Sequence, residues 1–421
     1  MSRLVSAVWS PDPGDVSGLP RRYRRPCRYD AYVPDPLVGR EVLLPADVAA
    51  DVSDAERAVL QLNASGLPYR GCEAIARLLL RAEAVASSRI EGLEIGGRRL
   101  TRADAARAAD GSVHDAGAAE VLGNIDAMRA AVDDVARRPR LDLGAISEIH
   151  RALLAGTRDA SWAGTFRDRQ NWIGGSSYNP CAADFVPPPP DEVPALLTDL
   201  VEYLESDLHP PVVQAALAHA QFETIHPFAD GNGRTGRALI HVVLTRRGLS
   251  PHHVPPVSLV LATRSQAYIA GLESFRTEGH DGPARWIAIF AAATTEACER
   301  VSGLTDGLAA LQGRWREAIG TVRGGSTAAQ LLDEVLPQTP VFTVGQLVTL
   351  TGRSTQAVNE AVDRLQSAGV LRQTTAGRRN RAFEVDGLID LITGFERSLA
   401  SPAGDTAVEP PARPVPRRLG R

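Results

Sequence analysis

The chain contains no lysine; every one of its 46 basic residues is arginine. That absence excludes a Walker A GxxxxGK[ST] loop and the strand lysine of a protein kinase, because each sets an ammonium on nucleotide phosphates. It excludes Schiff-base chemistry as well. A GC-rich coding bias is the simplest source of the absence, and the exclusions hold either way. Cysteine is scarce: Cys27, Cys72, Cys181 and Cys298 are widely separated and none forms CxxC. They read as buried apolar side chains or free thiols rather than a framework, which makes a reducing cytoplasm the expected location. No apolar run approaches the ~20 residues of a membrane span. The opening MSRLVSAVWSPDPGD lacks an h-region with a cleavage site, so neither a membrane partner nor secretion is expected. The net charge of −4 gives no overall attraction to polyanions, so a nucleic-acid role needs a local basic patch. At 421 residues, with 44% hydrophobic and 23% charged side chains, the chain is an ordinary globular sequence of two or three domains.

The periodicity predicts a mainly helical protein. Residues 1–45, rich in Pro, Arg and Tyr, read as an extended arm. Helical spacing follows over Ser53–Gly66, with Ser53 as N-cap, and over Gly71–Glu91, Leu100–Arg107, Gly117–Val135 and Leu143–Leu154. The stretch Gly164–Pro180 changes character: weak alternation broken by a Gly/Ser/Asn/Pro cluster predicts a β-hairpin or flap. Helices resume at Glu192–Glu205, Val212–Thr224, Gly233–Arg247, Arg264–Thr277 and Ala284–Leu311. A separate unit starts near Ser326, with helices at Ala328–Leu336, Thr343–Leu350 and Thr355–Ala368. Strands at Val370–Gln373 and Ala382–Val385 flank a basic turn, Ala376–Arg381. The tail beyond Ala400 is Pro/Arg-rich and expected to be disordered.

The chemistry concentrates in His226-Pro-Phe-Ala-Asp-Gly-Asn-Gly-Arg-Thr-Gly-Arg237. His226 has the side chain whose ordinary pKa suits a general base; elsewhere in a helical chain a lone histidine is usually structural. Asp230 offers one hard oxygen ligand to a magnesium ion, or alternatively an N-cap to the next helix. Gly231, Asn232 and Gly233 allow backbone to approach an anion, and the helix beginning there directs free N–H groups at it. Arg234, Thr235, Gly236 and Arg237 continue into that helix, with the two guanidiniums three residues apart and able to serve one bound group. The structural alternative for both arginines is a surface salt bridge.

This run resembles the signature of the Fic (filamentation induced by cyclic AMP) family, HPFx(D/E)GNGRxxR, at every specified position. The resemblance implies a helical Fic bundle that transfers AMP from ATP to a protein hydroxyl. It assigns His226 as base, Asp230 to Mg²⁺, and Gly231 through Arg237 to ATP, with Arg237 on the γ-phosphate and Arg234 on its neighbour. Ser87-Ser-Arg-Ile-Glu91-Gly92 resembles the family's inhibitory motif [S/T]xxxE[G/N], in the class that carries the inhibitory helix N-terminal to the core. That implies Ser87 and Glu91 hold the site shut by pairing Glu91 with Arg237. The hairpin Asn171–Phe185 resembles the flap that holds a target protein by strand addition. Arg264–Phe275 resembles the nucleotide-side helix, which implies an adenine contact at Tyr268 or Ile269.

The expected architecture is thus an N-terminal arm and inhibitory region (1–110), a Fic core (111–312), a module resembling a winged helix-turn-helix (326–395) and a tail (400–421). In that module Arg353, Arg364, Arg372, Arg378, Arg379 and Arg381 are placed to meet DNA phosphates, or equally to form a solvated face or a protein contact. A homodimer is admitted. The rival functions are transfer of another nucleotide-derived group, removal of AMP from a modified target, and a DNA-binding regulator with a Fic sensor.

Overall fold

The computed structural model describes residues 2–11, 20–64, 69–110, 113–277, 279–374 and 381–400. Strand β1 (Arg3–Trp9) pairs antiparallel with β2 (Cys27–Val33). Four helices follow: α1 (Ala46–Ala64), α2 (Tyr69–Ile90), α3 (Gly97–Asp110) and α4 (Ala116–Arg129), the last running on as a π turn over Ala130–Val135. Next come α5 (Leu143–Leu154), α6 (Val193–Leu204), α7 (Pro211–Ile225), α8 (Asn232–Arg246), α9 (Val257–Thr263) and α10 (Ser265–Phe275). The long α11 (Asp281–Ile319) precedes the C-terminal elements: α12 (Thr327–Gln330), β3 (Val341–Thr343), α13 (Val344–Thr351), α14 (Thr355–Ser367), β4 (Leu371–Gln373), β5 (Ala382–Val385) and α15 (Leu388–Ala400). The chain is mainly α, as its periodicity predicts. Among the described residues no helix is long and apolar enough to cross a membrane.

The chain forms two compact units. One comprises Met1–Arg57, Gly123–Pro251 and Gln266–Ala292; the other comprises Ala58–Leu122, His252–Ser265 and Ala293–Arg421. In the first, α7 and α8 form the centre: every residue from Val212 to Ile225 and from Asn232 to Leu244 is buried. Ala215, Ala216, Ala218 and Ala220 keep α7 slim, and Gly236 lets α8 approach it. A Cβ at Gly236 would sit 2.9 Å from both Phe222 and the Glu223 carboxylate, so this glycine serves helix contact. Trp286, fully buried, donates its indole N–H to the Ala216 carbonyl at 2.8 Å.

In the second unit α2 packs on α9, and buried Glu83 accepts the Ser258 amide at 2.8 Å, supplying the N-terminal acceptor α9 needs. The C-terminal elements run helix, strand, helix, helix, strand, strand, helix, with sheet order β3-β5-β4. Thr343 and Gln346 close a capping box on α13, and Ser354 caps α14.

Several expectations change. The N-terminal arm is a β-hairpin whose first strand half-buries Val5, Ala7 and Trp9 and exposes Leu4, Ser6 and Val8, so apolar residues stand on both faces and no polar alternation marks it. Ser53 is interior to α1, which starts seven residues earlier. The expected stop at Gly66, and the basic turn with Arg378 and Arg379, lie outside the described residues, as does the tail from 401. The wing has a third strand, Val341–Thr343, too short to show periodicity. Cys27 and Cys181 are disulfide-bonded with Cα atoms 6.0 Å apart, which corrects the free-thiol reading; their 154-residue separation hid the pairing. Cys298 is buried, and burial pushes its thiol up to about 12.

Candidate active site

The site is built on the turn between α7 and α8. α7 ends at His226, which takes the left-handed conformation (φ 49°, ψ 59°) and donates its amide to the Phe222 carbonyl at 2.9 Å. A residue with a Cβ in this conformation costs roughly 1–2 kcal/mol, so the surroundings must hold it there. Arg167 and Asn171 do so: Arg167 Nε donates to the His226 carbonyl at 2.8 Å, and Asn171 Nδ2 donates to the same oxygen at 3.1 Å and to the Phe228 carbonyl at 3.0 Å. Arg167 also donates to the Pro188 and Ile225 carbonyls. It is a buried cation set against the exposed carbonyls of a helix end, and burial lowers its pKa to about 10.

The His226 ring has a definite hydrogen-bonding sense. Nδ1 lies 3.3 Å from the Glu223 carbonyl, an acceptor, so Nδ1–H is the donor. The lone pair is then on Nε2, the atom a base presents to a hydroxyl. The Glu223 carboxylate lies 3.8 Å from Nδ1, placed to stabilise the imidazolium once the proton is taken.

Between His226 and α8 the loop is tied by Asn232, whose carboxamide accepts from the Phe228 amide at 2.8 Å and donates to the Phe228 carbonyl at 2.9 Å. Its side chain is therefore spent on shaping the turn. Gly231, the residue before α8, has φ 76°, and a Cβ there would sit 2.8 Å from Leu153 and 3.3 Å from His150. Thr235 N–H already bonds Gly231 O at 3.0 Å, so the amides without an intrahelical acceptor are those of Asn232, Gly233 and Arg234. Arg234 and Arg237 are 3% and 1% exposed, which sets aside the surface-bridge reading of both. Arg234 pairs with Asp230 at 3.2 Å, and the Asp230 side chain itself is 67% exposed at the mouth.

Sequence reasoning missed the residues behind this turn. His150 on α5 stacks on Phe228 with centroids 3.7 Å apart. Its Nδ1 accepts the Gly164 amide at 2.9 Å, so Nε2–H donates to the Asp230 carbonyl at 3.0 Å. Burial lowers its pKa to about 4, which keeps this tautomer neutral. Behind Arg237, Nη1 donates to Tyr268 Oη at 3.4 Å, and Tyr268 Oη–H donates to His219 Nε2 at 2.8 Å. Burial, then the Arg237 charge, lowers His219 to about 3, so it accepts as a neutral ring. Tyr268 is thus a buried brace of Arg237, while Ile269, the other residue considered for an adenine contact, is 54% exposed. No local signal marks these residues, because their partners are distant in sequence.

The flap is irregular, with two isolated bridges, Ile173 to Phe185 and Ser176 to Asn179. Gly174 and Gly175 have positive φ, and a Cβ on either would collide with Asp184 or Ala182. Arg276 stacks over Phe185 at 3.6 Å, and the Tyr32 amide of β2 donates to the Val186 carbonyl. Ser87 is buried near the end of α2 and Glu91 follows it, with the Glu91 amide on Ser88 O and Gly92 at φ 78°. Among the described residues no group of three His, Cys, Asp or Glu is placed to hold a metal ion.

A profile described as the Fic/DOC family matches residues 140–244, and one described as the Fic/DOC family N-terminal region matches residues 49–133. Protein adenylyltransferase Fic of Drosophila grimshawi is 37% identical over 153 residues, 35% of this chain and 28% of that protein. Protein adenylyltransferase fic-1 of Caenorhabditis elegans is 38% identical over 126 residues, 29% of this chain and 22% of that protein. The chain therefore spans only 28% and 22% of the length of these two curated relatives. A crystal structure of a Fic family protein from Desulfovibrio desulfuricans G20 superposes with a TM-score of 0.50 at 21% identity, covering 82% of this chain and 97% of that one, a likeness of fold. The first profile spans the whole turn from His226 to Arg237, and the second precedes it in the expected order: residues 49–133 and 140–244 match the two regions of the Fic/DOC family.

Proposed function

We propose that the protein is a protein adenylyltransferase that moves AMP from ATP onto a Ser, Thr or Tyr hydroxyl of a target protein or of itself. The observation that carries this reading is the pairing of two opposed helix ends. α7 ends in a base whose lone pair is on Nε2, and α8 begins with three amides that lack an intrahelical acceptor and two buried guanidiniums. His226 takes the hydroxyl proton, the oxygen attacks the α-phosphorus, the bond to the bridging oxygen breaks, and pyrophosphate leaves. Arg234, Arg237 and the amides of Asn232 to Arg234 offset the charge that moves to the leaving group. The Glu223 carboxylate, 3.8 Å from His226, offsets the imidazolium. A lone carboxylate at the mouth fits a magnesium ion that arrives with ATP, since that ion takes one or two carboxylates beside phosphates and water. Asp230 would hold it, where it would polarise phosphate oxygens.

In this reading Glu91, with Ser87, keeps the resting enzyme nearly inactive by pairing with Arg237, and the flap around Asn171–Phe185 holds the target. The test is self-labelling with α-phosphate-labelled ATP. Glu91→Gly raises incorporation and His226→Ala abolishes it; equal labelling by both variants and the wild type ends the proposal. A nucleotide screen with Glu91→Gly separates AMP transfer from transfer of another group. The boundaries 1–110, 111–312, 326–395 and 400–421 are kept as the proposed domain division.

For residues 326–395 we propose a winged-helix module that contacts protein rather than DNA. Its arginines among the described residues are occupied at home: Arg353 on Gln330 and Gly325, Arg364 on Thr321, Arg372 on Glu384, and Arg381 on Asp363 and Asn359. The exposed face of α14 carries Glu360 and Asp363, which repel phosphates. Salt-dependent binding of duplex DNA by the full chain would reverse this assignment. A cytoplasmic location is proposed, where a reducing compartment exposes the Cys27–Cys181 bridge to reduction.

A further inference from the structure

The second unit holds an open cleft of about 820 Å³ between α3 and α15. Four arginines line it, Arg98, Arg99 and Arg102 of α3 and Arg397 of α15, together with His114. Two carboxylates answer two of them: Asp390 lies 3.5 Å from Arg98, and Asp115 takes Arg99 through two hydrogen bonds of 2.5 and 2.8 Å. Arg102 and Arg397 have no hydrogen bond or ion pair among the described residues. The cleft thus has two guanidiniums in surplus.

The start of α3 adds to that surplus. A helix N-terminus favours carboxylates in its first turn, and α3 has none there; it has Arg98 and Arg99 instead. Charge of the same sign as the helix end is locally unfavourable, and an anion in the cleft relieves it. The lining also has apolar members, Ala103, Ala106, Val113 and Ile389. A cleft of this size, lined by guanidiniums and apolar side chains, matches a small molecule with a phosphorylated end and a ring.

We propose that this cleft binds a nucleotide-sized molecule carrying at least two phosphates, with Arg102 and Arg397 as its principal contacts, and that its occupancy acts on Glu91. The second clause rests on the reading of Glu91 as inhibitor. Three connections support it. Residues 91–96 are the whole link from α2 to α3, so the Glu91 turn is attached directly to the cleft's edge. Arg81 of α2 pairs with Asp104 of α3 at 3.1 Å. Arg89, two residues before Glu91, meets Glu396 of α15 at 3.8 Å, and Glu396 adjoins Arg397. A ligand gripping α3 and α15 therefore acts on both neighbours of the segment that presents Glu91.

The test is equilibrium titration of the full chain with fluorescent ADP, with inorganic pyrophosphate as competitor. The wild type is expected to take up one equivalent more than Arg102→Glu/Arg397→Glu, or to bind that equivalent at least ~10-fold more tightly, and pyrophosphate displaces it. Arg102→Gln/Arg397→Gln, which keeps the length but not the charge, falls between and guards against misfolding. Identical stoichiometry and affinity in all three proteins overturns the site, as does an extra equivalent that pyrophosphate leaves in place. Amide exchange over residues 88–100 is expected to slow on ADP addition in the wild type and not in the Glu double variant; equal slowing overturns the link to Glu91. AMP transfer by the Glu91→Gly form is expected to be the same with and without the Arg102 and Arg397 changes. If Glu91→Gly itself fails to raise transfer, the inhibitor reading falls while the binding result stands.

Discussion

Two helix starts in this chain are written in nearly the same letters. α8 opens Gly231-Asn-Gly-Arg234 with Arg237 one turn on, and α3 opens Gly96-Gly97-Arg98-Arg99 with Arg102 one turn on. Neither has an acidic residue in its first turn. The difference is what stands behind the arginines. Arg237 is 1% exposed and held through Tyr268 and His219, whereas Arg102 is exposed and has no such brace. Preorganisation, rather than the residue types, separates a site suited to chemistry from one suited to reversible binding, because fixed charges need no rearrangement as the reaction proceeds.

The largest expected effect falls on the group that has no counterpart at α3. His226→Ala is expected to lower AMP transfer by about 10²–10⁴-fold, the usual contribution of a positioned base. Single-turnover labelling in the Glu91→Gly background measures it. Next comes the direct pair: Arg237→Ala is expected to cost about 10²-fold in the same assay, while Arg102→Ala leaves the rate unchanged. Equal losses would erase the distinction between the two helix starts.

Backbone sharpens the contrast further. Gly231→Ala must place a Cβ at φ 76° and 2.8 Å from Leu153. It is expected to cost about 2–4 kcal/mol by urea unfolding, from left-handed strain plus overpacking, with at least tenfold lower transfer. At Gly97 φ is not positive and the nearest atom, Thr393 Oγ1, lies 3.2 Å from the added Cβ. Gly97→Ala is therefore expected to be near neutral.

Acid should act on the α8 site specifically. His150 has its pKa lowered from 6.5 to about 4 by burial, and His219 to about 3. Between those values and 6.5 the unfolded chain takes up protons that the folded chain refuses. The contribution is therefore fully present above pH 6.5 and is lost as pH falls toward 4. By linkage His150 alone removes about 2 kcal/mol between pH 7.5 and 5. Urea midpoints at the two pH values should show this fall, and His150→Leu should reduce it.

How much of this was legible in sequence follows from the range of each interaction. His226, Asp230 and the Gly-Asn-Gly turn lie within twelve residues, so their chemistry is local and readable. The helices around them were readable because burial of one face imposes a period on the sequence. His150, Arg167 and Tyr268 hold the same turn from 76, 59 and 42 residues away, and nothing in their neighbourhoods marks them. Asn232 and Gly236 were read with the ATP-binding run; the first spends its carboxamide on Phe228, which leaves its amide for an anion, and the second also clears space for α7. A motif states which residues are present; which of them face the ligand is decided by packing. The same holds for β1, where apolar Leu4 and Val8 on the exposed face erase the alternation with half-buried Val5, Ala7 and Trp9.

The smallest effect on transfer is expected where neither helix start is touched. The Cys27–Cys181 disulfide ties β2 to the short helical turn Pro180–Ala182 at the far end of the flap. Opening it releases a loop closure of 154 residues, for which the chain-entropy relation gives about 5 kcal/mol and disulfides typically deliver roughly 2–4 kcal/mol of stability. The flap root is fixed separately, by the Ile173–Phe185 bridge, the Arg276 stack on Phe185 and the Asn171 bonds to the His226 turn. Reduction should therefore loosen the tip and leave the base and cradle in place. Cys181→Ser, or wild type with reductant, is expected to raise the KM for a protein target two- to five-fold, an order-of-magnitude estimate for ordering one short segment on binding, with kcat unchanged. A fall in kcat would mean that the tether reaches the His226 turn, and that the braces behind α8 extend to the N-terminal hairpin.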